Sequence, residues 1–224
     1  ATSIALMEEW GRFAESVGVD LFEVVDAIRT RPTHANIRTP GFGVGGYCLT
    51  KDPLFGKLAA AELWGIPIEF PISSLAVRTN DEAPAVSLRR VREMLGGSLE
   101  GKRLLLAGVS YRQDVGDTRY SPSETFLRAA REAGADVVAH DPLVERWEEL
   151  DLEVTADLPS PRGFDAVIFA VPHREYRDLD LAGWLGQFRP VIFDGFNVLR
   201  RGQRQLAESL GCPVASIGRG TMNG

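Results

Sequence analysis

Cysteine and histidine are scarce in this 224-residue chain, which has two of the first and three of the second. Two thiols far apart in sequence, Cys48 and Cys212, are no disulfide framework, and with no secretory leader legible they favour a reducing, cytoplasmic location. Cys212, in Leu-Gly-Cys-Pro, reads as a small buried residue, and no metal site is expected. No apolar run reaches the ~18 residues that span a bilayer, so no membrane partner is expected. Long basic runs are missing too: net charge is -6, and the densest cluster, Arg89-Arg90-Val91-Arg92, reads as a solvated helix face, which argues against general nucleic-acid binding. What is present, 44% hydrophobic and 25% charged residues, suits one or two soluble domains with a full core.

The most informative stretch is Pro40 to Pro53, PGFGVGGYCLTKDP, where Cys48 follows a glycine-rich loop and precedes Lys51-Asp52. Gly41, Gly43, Gly45 and Gly46 are expected to let a ligand approach the main chain. If a helix starts near Leu49, its N-terminus and Lys51 stabilise a thiolate at Cys48, and Asp52 shares a face with the thiol four residues away. Pro53 weakens that helix, because the residue before a proline is pushed away from helical angles. Thiol, carboxylate and cation so arranged suit covalent catalysis followed by water activation. The loop also satisfies G-x-G-x-x-G, but Arg31-Pro-Thr-His-Ala-Asn-Ile-Arg-Thr-Pro40 before it is no buried strand, so a dinucleotide-phosphate loop is not expected here.

Up to about Gly97 the pattern is helical. Ile4, Met7, Trp10, Ala14 and Val17 recur at helical spacing, and Asp20 with Glu23 forms an N-cap and capping box for a helix over 20–28. Further helices are expected over 52–64 and 72–95, the last kinked at Pro84. From Lys102 the period changes: short apolar strands over 103–108, 136–140, 165–171 and 190–194 alternate with helices such as 122–133. The fold class read from this is α/β, a helical central domain over 1–97 followed by a Rossmann-like, doubly wound parallel sheet over 98–224. Ligands of such sheets bind beyond the C-terminal ends of the strands. Gly108–Ser121, Asp141-Pro142, Pro172-His173 and Asp194–Asn197 fall on that edge.

The loop after the first strand reads AGVSYRQDVGDTRYSPSE, with Arg112, Asp114, Asp117 and Arg119 ahead of a helix whose N-cap is Ser121. Two arginines and a helix N-terminus make an anion site suited to a diphosphate, or else a surface loop with local ion pairs.

Together these two motifs resemble the UDP-glucose/GDP-mannose dehydrogenase family over essentially the whole chain. Thr79-Asn80-Asp81, His140-Asp141-Pro142 and Phe193-Asp194-Gly195 add to the likeness. The resemblance implies four-electron oxidation of a nucleotide-sugar primary alcohol to a uronic acid with NAD as cofactor. It assigns Cys48 as the nucleophile that forms a thiohemiacetal and then a thioester, and Asp52 as the group that activates the hydrolytic water. Lys51 and Arg119 would face the cofactor. Gly41, Phe42, Gly43, Gly45, Gly46, Tyr47, His34, Tyr111 and Arg112 would hold the nucleotide sugar.

The resemblance also has gaps. The family's N-terminal NAD-binding domain, and the Lys and Asn that precede the segment starting at Ala1, have no counterpart here, so the chain reads as processed or truncated and is expected not to turn over alone. Arg112 stands where many relatives have Lys, Phe196 where many have Arg, and His34 where relatives often present Arg to a neighbouring subunit's sugar. HANIRTPGFGVGGYC looks closer to the branch that oxidises UDP-N-acetylmannosamine, CLTKD and VGDTR to the UDP-glucose branch, so a UDP-sugar is preferred over GDP-mannose. Two alternatives stand beside this reading: a non-catalytic nucleotide-sugar-binding or dimerisation module, and a Cys hydrolase using His140 or His173. A homodimer through the long helix is expected, because residues 58–64 and 72–77 are apolar on more than one face.

Overall fold

The computed structural model describes residues 1–220. Four α-helices come first, α1 (Thr2–Ser16), α2 (Leu21–Arg29), α3 (Phe55–Glu62) and α4 (Pro71–Met94). The rest runs β1 (Arg103–Ala107), α5 (Pro122–Glu132), β2 (Asp136–His140), β3 (Arg146–Trp147), β4 (Leu152–Glu153), β5 (Ala166–Phe169), α6 (Arg174–Arg177), α7 (Leu181–Leu185), β6 (Val191–Asp194), α8 (Arg201–Ser209) and β7 (Val214–Ser216). Five strands form one sheet in the order β2-β1-β5-β6-β7, every pair parallel, while β3 and β4 form a small antiparallel hairpin. This is the doubly wound α/β class read from the sequence. With the hairpin set aside the order is 2-1-3-4-5, so the winding reverses between β1 and β5, the point at which such sheets bind ligands.

Burial on both faces explains the unbroken apolar strands. Leu104 and Leu106 of β1 enter one core with Phe126, Phe193 and Val91, while Leu105 and Ala107 enter the other with Phe169, Tyr176 and Ile192. Val91 belongs to α4, so the C-terminal turns of the long helix are part of the sheet's core and its N-terminal turns are not. Pro84 is accommodated inside the continuous helix. It cannot donate to the Asn80 carbonyl four residues back, and a Cβ on Gly43 would lie 3.3 Å from that oxygen.

Several sequence expectations are corrected here. On α1 the buried face is Ala5, Met7, Glu8, Gly11 and Ala14, whereas Trp10 and Val17 of the expected stripe are about half exposed. Small Gly11 lets Pro40 come close, so the buried side follows the neighbour's shape rather than the largest side chains. Asp20 caps α2 by accepting the Phe22 N–H at 2.9 Å. The helix expected near Leu49 is absent: residues 47–51 form turns, Asp52–Leu54 is a single 3-10 turn, and the α-helix begins at Phe55, beyond Pro53. The three-residue edge strand β7 was not anticipated, being too short to carry a period. After β7 the chain returns to the first helices. The Leu21 N–H donates to the Gly218 carbonyl, Glu15 accepts the Gly218 N–H and pairs with Arg90, and Arg219 pairs with Asp20.

Candidate functional site

A cavity of about 580 Å³ opens at the reversal point, walled by the β1 loop (Ser110, Tyr111, Arg112), the β5 loop (Val171, Pro172), Phe196 after β6, and Gly43-Val44. Pro122 and Ser123 at the start of α5 also line it, so the positive end of that helix faces the space. Gly108 leaves β1 at φ +103, where a Cβ would be driven into Val171; only glycine turns the chain so close to the β5 loop.

The β1 loop is held from beneath by Asp141, which is fully buried and accepts from Val109 N (2.9 Å), Ser110 N (3.0 Å) and Ser110 Oγ (2.8 Å). His173 Nδ1 accepts the Asp114 N–H at 3.0 Å, so its proton sits on Nε2, 3.1 Å from Asp141. Burial alone would raise the Asp141 carboxyl, but the bonds from His173, Leu143 and Ser110 outweigh it and hold it down at about 2. His140 lies beside this pair, its Nδ1 at 2.9 Å from the Tyr176 hydroxyl and its Nε2 at 3.1 Å from the Ala156 carbonyl. Both histidines are thus engaged in the sheet's own network and line neither the main cavity nor the one beside Lys51.

The glycine loop is seated on the sheet. Phe42 is wholly buried, its ring centroid 5.2 Å from that of Phe126, so its side chain is core and only its backbone can face a ligand. A Cβ on Gly41 would overlap the Phe196 ring; one on Gly45 would overlap the Tyr120 carbonyl; one on Gly46 would sit 2.9 Å from the Tyr111 ring. The close approach that needs glycine at these positions is made largely by the chain itself. Two side chains anchor the loop from the helices. Asn80 accepts the Val44 N–H at 2.7 Å and donates to its carbonyl at 2.8 Å, and Glu8 accepts the Gly41 N–H at 2.8 Å.

Cys48 is exposed and lies just past this loop, outside both cavities. With no helix starting there, the helix-terminus argument for its thiolate falls; one α-turn remains, the Asp52 N–H donating to the Cys48 carbonyl at 2.9 Å. Lys51 Nζ is 2.9 Å from Asp52, which raises the lysine's pKa, and it lies 4.1 Å from the Tyr47 ring centroid and 4.5 Å from that of Phe55. It borders a second cavity of about 400 Å³, shared with Thr50, Asn80, Asp81 and Glu124, on the far side of Val44 and Pro122. Tyr47 packs edge-on against Tyr120, centroids 5.5 Å apart.

Arg112 is brought to the main cavity and Arg119 is not. Arg119 is exposed and forks onto Asp117, with Nη2 to Oδ2 at 2.7 Å, the local ion pair that was the competing reading of this loop. His34 stands apart, exposed on a shallow apolar groove with Val24, Ile28 and Ile37. Glu8 went unnoticed in the sequence, and Asn80, Asp141 and Asp194 stood out there only as motif likeness, not as loop supports; the Asp194 carboxylate accepts Val198 N (2.7 Å) and Leu199 N (3.0 Å) just beyond Phe196. Glu8 had a legible signal, a carboxylate on the helical stripe of Ile4 and Gly11, three and four residues apart.

Comparison with known proteins bears on these loops. Residues 1–82 match the model for the central domain of the UDP-glucose/GDP-mannose dehydrogenase family, and residues 105–201 the model for its UDP binding domain. A UDP-N-acetyl-D-mannosamine dehydrogenase of Pyrococcus horikoshii is 29% identical over 97% of this chain and 49% of its own length, and a UDP-glucose 6-dehydrogenase of Haloferax volcanii is 30% identical over 94% and 49%. Among solved structures, the NDP-N-acetyl-D-galactosaminuronic acid dehydrogenase of Methanosarcina mazei superposes with a TM-score of 0.83 at 28% identity, covering 98% of this chain and 48% of that one. The chain spans about half the length of the curated relatives it matches.

Proposed function

Because the chain belongs to the UDP-glucose/GDP-mannose dehydrogenase family, matched over both its central and its UDP binding domain, we propose that its main cavity holds a UDP-sugar for oxidation to the uronic acid. The observation that carries this reading is the meeting of the glycine loop with the β1 loop around one cavity at the sheet's reversal point. Arg112 and the α5 N-terminus supply positive charge for a diphosphate there, and Tyr111 and Phe196 supply aromatic faces for the base or sugar. The sugar would extend past Val44 toward Cys48. The thiolate then adds to an aldehyde carbon, the carbonyl electron pair moves to oxygen, and that oxygen takes a proton. The reading gives Asp52, one turn on from Cys48, the role of accepting a proton from the hydrolytic water, a step that would follow only after the thiohemiacetal had lost a hydride to an oxidant the described residues do not hold.

The expected cofactor is NAD, and the described residues do not fit it. The G-x-G-x-x-G at 41–46 follows no strand and opens no helix, and the turn after β1 reads Gly-Val-Ser-Tyr-Arg-Gln. Lys51 and Arg119, expected to face NAD, are each paired to an aspartate. The reading therefore assigns this chain the sugar nucleotide, the nucleophile and the proton acceptor. It includes a cytoplasmic location and a homodimer; among the described residues no helix is long and apolar enough to cross a membrane. The position of Cys48 outside both cavities favours a second reading, a nucleotide-sugar-binding module without oxidation.

Calorimetric titration with UDP, UDP-glucose, UDP-N-acetylmannosamine, GDP-mannose and NAD tests the proposal, with alkylation of Cys48 at neutral pH as its companion. Binding of a UDP-sugar but not NAD, with that ligand slowing alkylation of Cys48, is the expected result. A folded chain that binds no UDP-sugar overturns it, and binding that leaves Cys48 alkylation unaltered selects the binding module.

A further inference from the structure

Each of three loops around the cavity hangs on one buried carboxylate: Asp141 under the β1 loop, Asp194 under the turn that carries Phe196, and Glu8 at the head of the glycine loop. The first two belong to the sheet. Glu8 comes from α1 and reaches across to Gly41, whose Cα lies under the Phe196 ring; two residues on, Gly43 lines the cavity. Between them Phe42 is buried in the core, so one packed side chain links the Gly41 amide to the cavity wall at Gly43. The Asn80 clamp on Val44 is uncharged and indifferent to pH, while the Glu8 clamp is titratable.

A buried carboxylate is a costly way to accept one N–H, since glutamine would make the same bond without burying charge. The groups facing Glu8 do little to offset that cost. On α1 these are Arg12 and Glu15; from α4 comes Arg90, already paired to Glu15; from the chain after β7 only Ile217, which has no charge. Among the described residues no cation lies within ion-pair distance of Glu8. Burial pushes its carboxyl up to about 7, against the pull of the Gly41 amide and of Arg12.

We infer that Glu8 is a positioning residue for the cavity: its carboxyl seats the glycine loop through the Gly41 amide, and its ionisation loosens that seat. The inference rests on the reading of the cavity as a nucleotide-sugar site. The protonated carboxyl can still accept the Gly41 N–H through its carbonyl oxygen without burying charge, whereas the ionised form carries a burial cost that outweighs its stronger bond to the amide, so the loop is held best below the carboxyl's midpoint.

The test uses the whole 224-residue chain, glycine-labelled, with the Gly41 amide followed by NMR from about pH 5.5 to 8.5 without ligand. UDP affinity is measured by calorimetry over the same range. Wild type and Glu8→Gln are compared, because the titration of UDP's own phosphate is common to both and cancels. The expected result is a Gly41 resonance that titrates with a midpoint near neutrality in wild type and stays still in Glu8→Gln, with wild-type affinity falling several-fold toward high pH relative to the variant. Glu8→Ala, which removes the acceptor, should bind UDP roughly tenfold more weakly at every pH. A Gly41 resonance that does not titrate, or titrates alike in Glu8→Gln, overturns the inference, as do matching pH profiles of affinity in the two proteins. If wild type binds no UDP while Gly41 titrates only in the presence of Glu8, the seat stands and the nucleotide-sugar reading is what fails.

Discussion

Gly45 shows why single residues matter to this cavity: any side chain there would overlap the Tyr120 carbonyl and crowd Tyr111, pushing the glycine loop off the β1 loop. Glu8 acts on the same loop through charge. Its folded pKa, about 7, lies above the ordinary value of 4.5, so between those values the folded state holds a proton that the unfolded state has released. Stability from this group is then fullest below about pH 4.5 and is lost as pH rises through 7. Glu8→Gln, which cannot ionise, should be more stable than wild type at pH 8 by up to roughly 3 kcal/mol and should converge with it near pH 4.5, as read by thermal melts at both pH values. Asp141 carries the opposite sign. Its carboxyl is held at about 2, so its contribution is present above the usual carboxylate range and lost as pH falls toward 2.

At the scale of elements, the first helices and the last segment of the chain support one another. Asp20 caps α2 and also pairs with Arg219, and a bridge joins the two residues' backbones. Asp20→Ala removes both roles and should cost about 1–2 kcal/mol in urea unfolding. Trypsin should also cut faster at Arg219 in that variant, since the segment after β7 loses its tether; an unchanged rate would mean that the Leu21 and Gly220 backbone bonds hold it alone. Helix α4 has the larger architectural part. Its first turns present Asn80 to the glycine loop and its last turns bury Val91 in the sheet's core, so one rigid rod sets the cavity's width.

For the molecule as a whole, the conspicuous feature is an apolar surface left at the α3 to α4 end, where Leu63, Trp64 and Ile72 are 73%, 66% and 67% exposed. Large apolar side chains exposed this close together in sequence are what an interaction surface offers, and they adjoin the start of the long helix proposed for the homodimer. The wild-type chain should therefore run as a dimer by light scattering. Trp64→Glu with Ile72→Glu should yield a monomer that still binds UDP, because neither residue lines the cavity. A monomeric wild type would remove the dimer from the proposal.

The sequence alone was enough for the α/β class, four of the five sheet strands, the Asp20 and Ser121 caps and the order of the two motifs, because these depend on local period and on residues a few positions apart. It also drew attention to Arg112 and the glycine loop, and the fold brings Arg112, Gly43 and Val44 to one cavity. Tertiary structure decided what distance in sequence conceals. Phe42 is core because Phe126 waits for it, Arg119 is taken by Asp117 while Arg112 reaches the cavity, and Pro53 delays the helix that would have supported Cys48. Glu8 is the plainest case: a carboxylate's role is set by which amide it meets and how dry the meeting place is, and Gly41 lies far along the chain from it. Burial and long-range partnership are properties of the packed chain, and no local pattern encodes them.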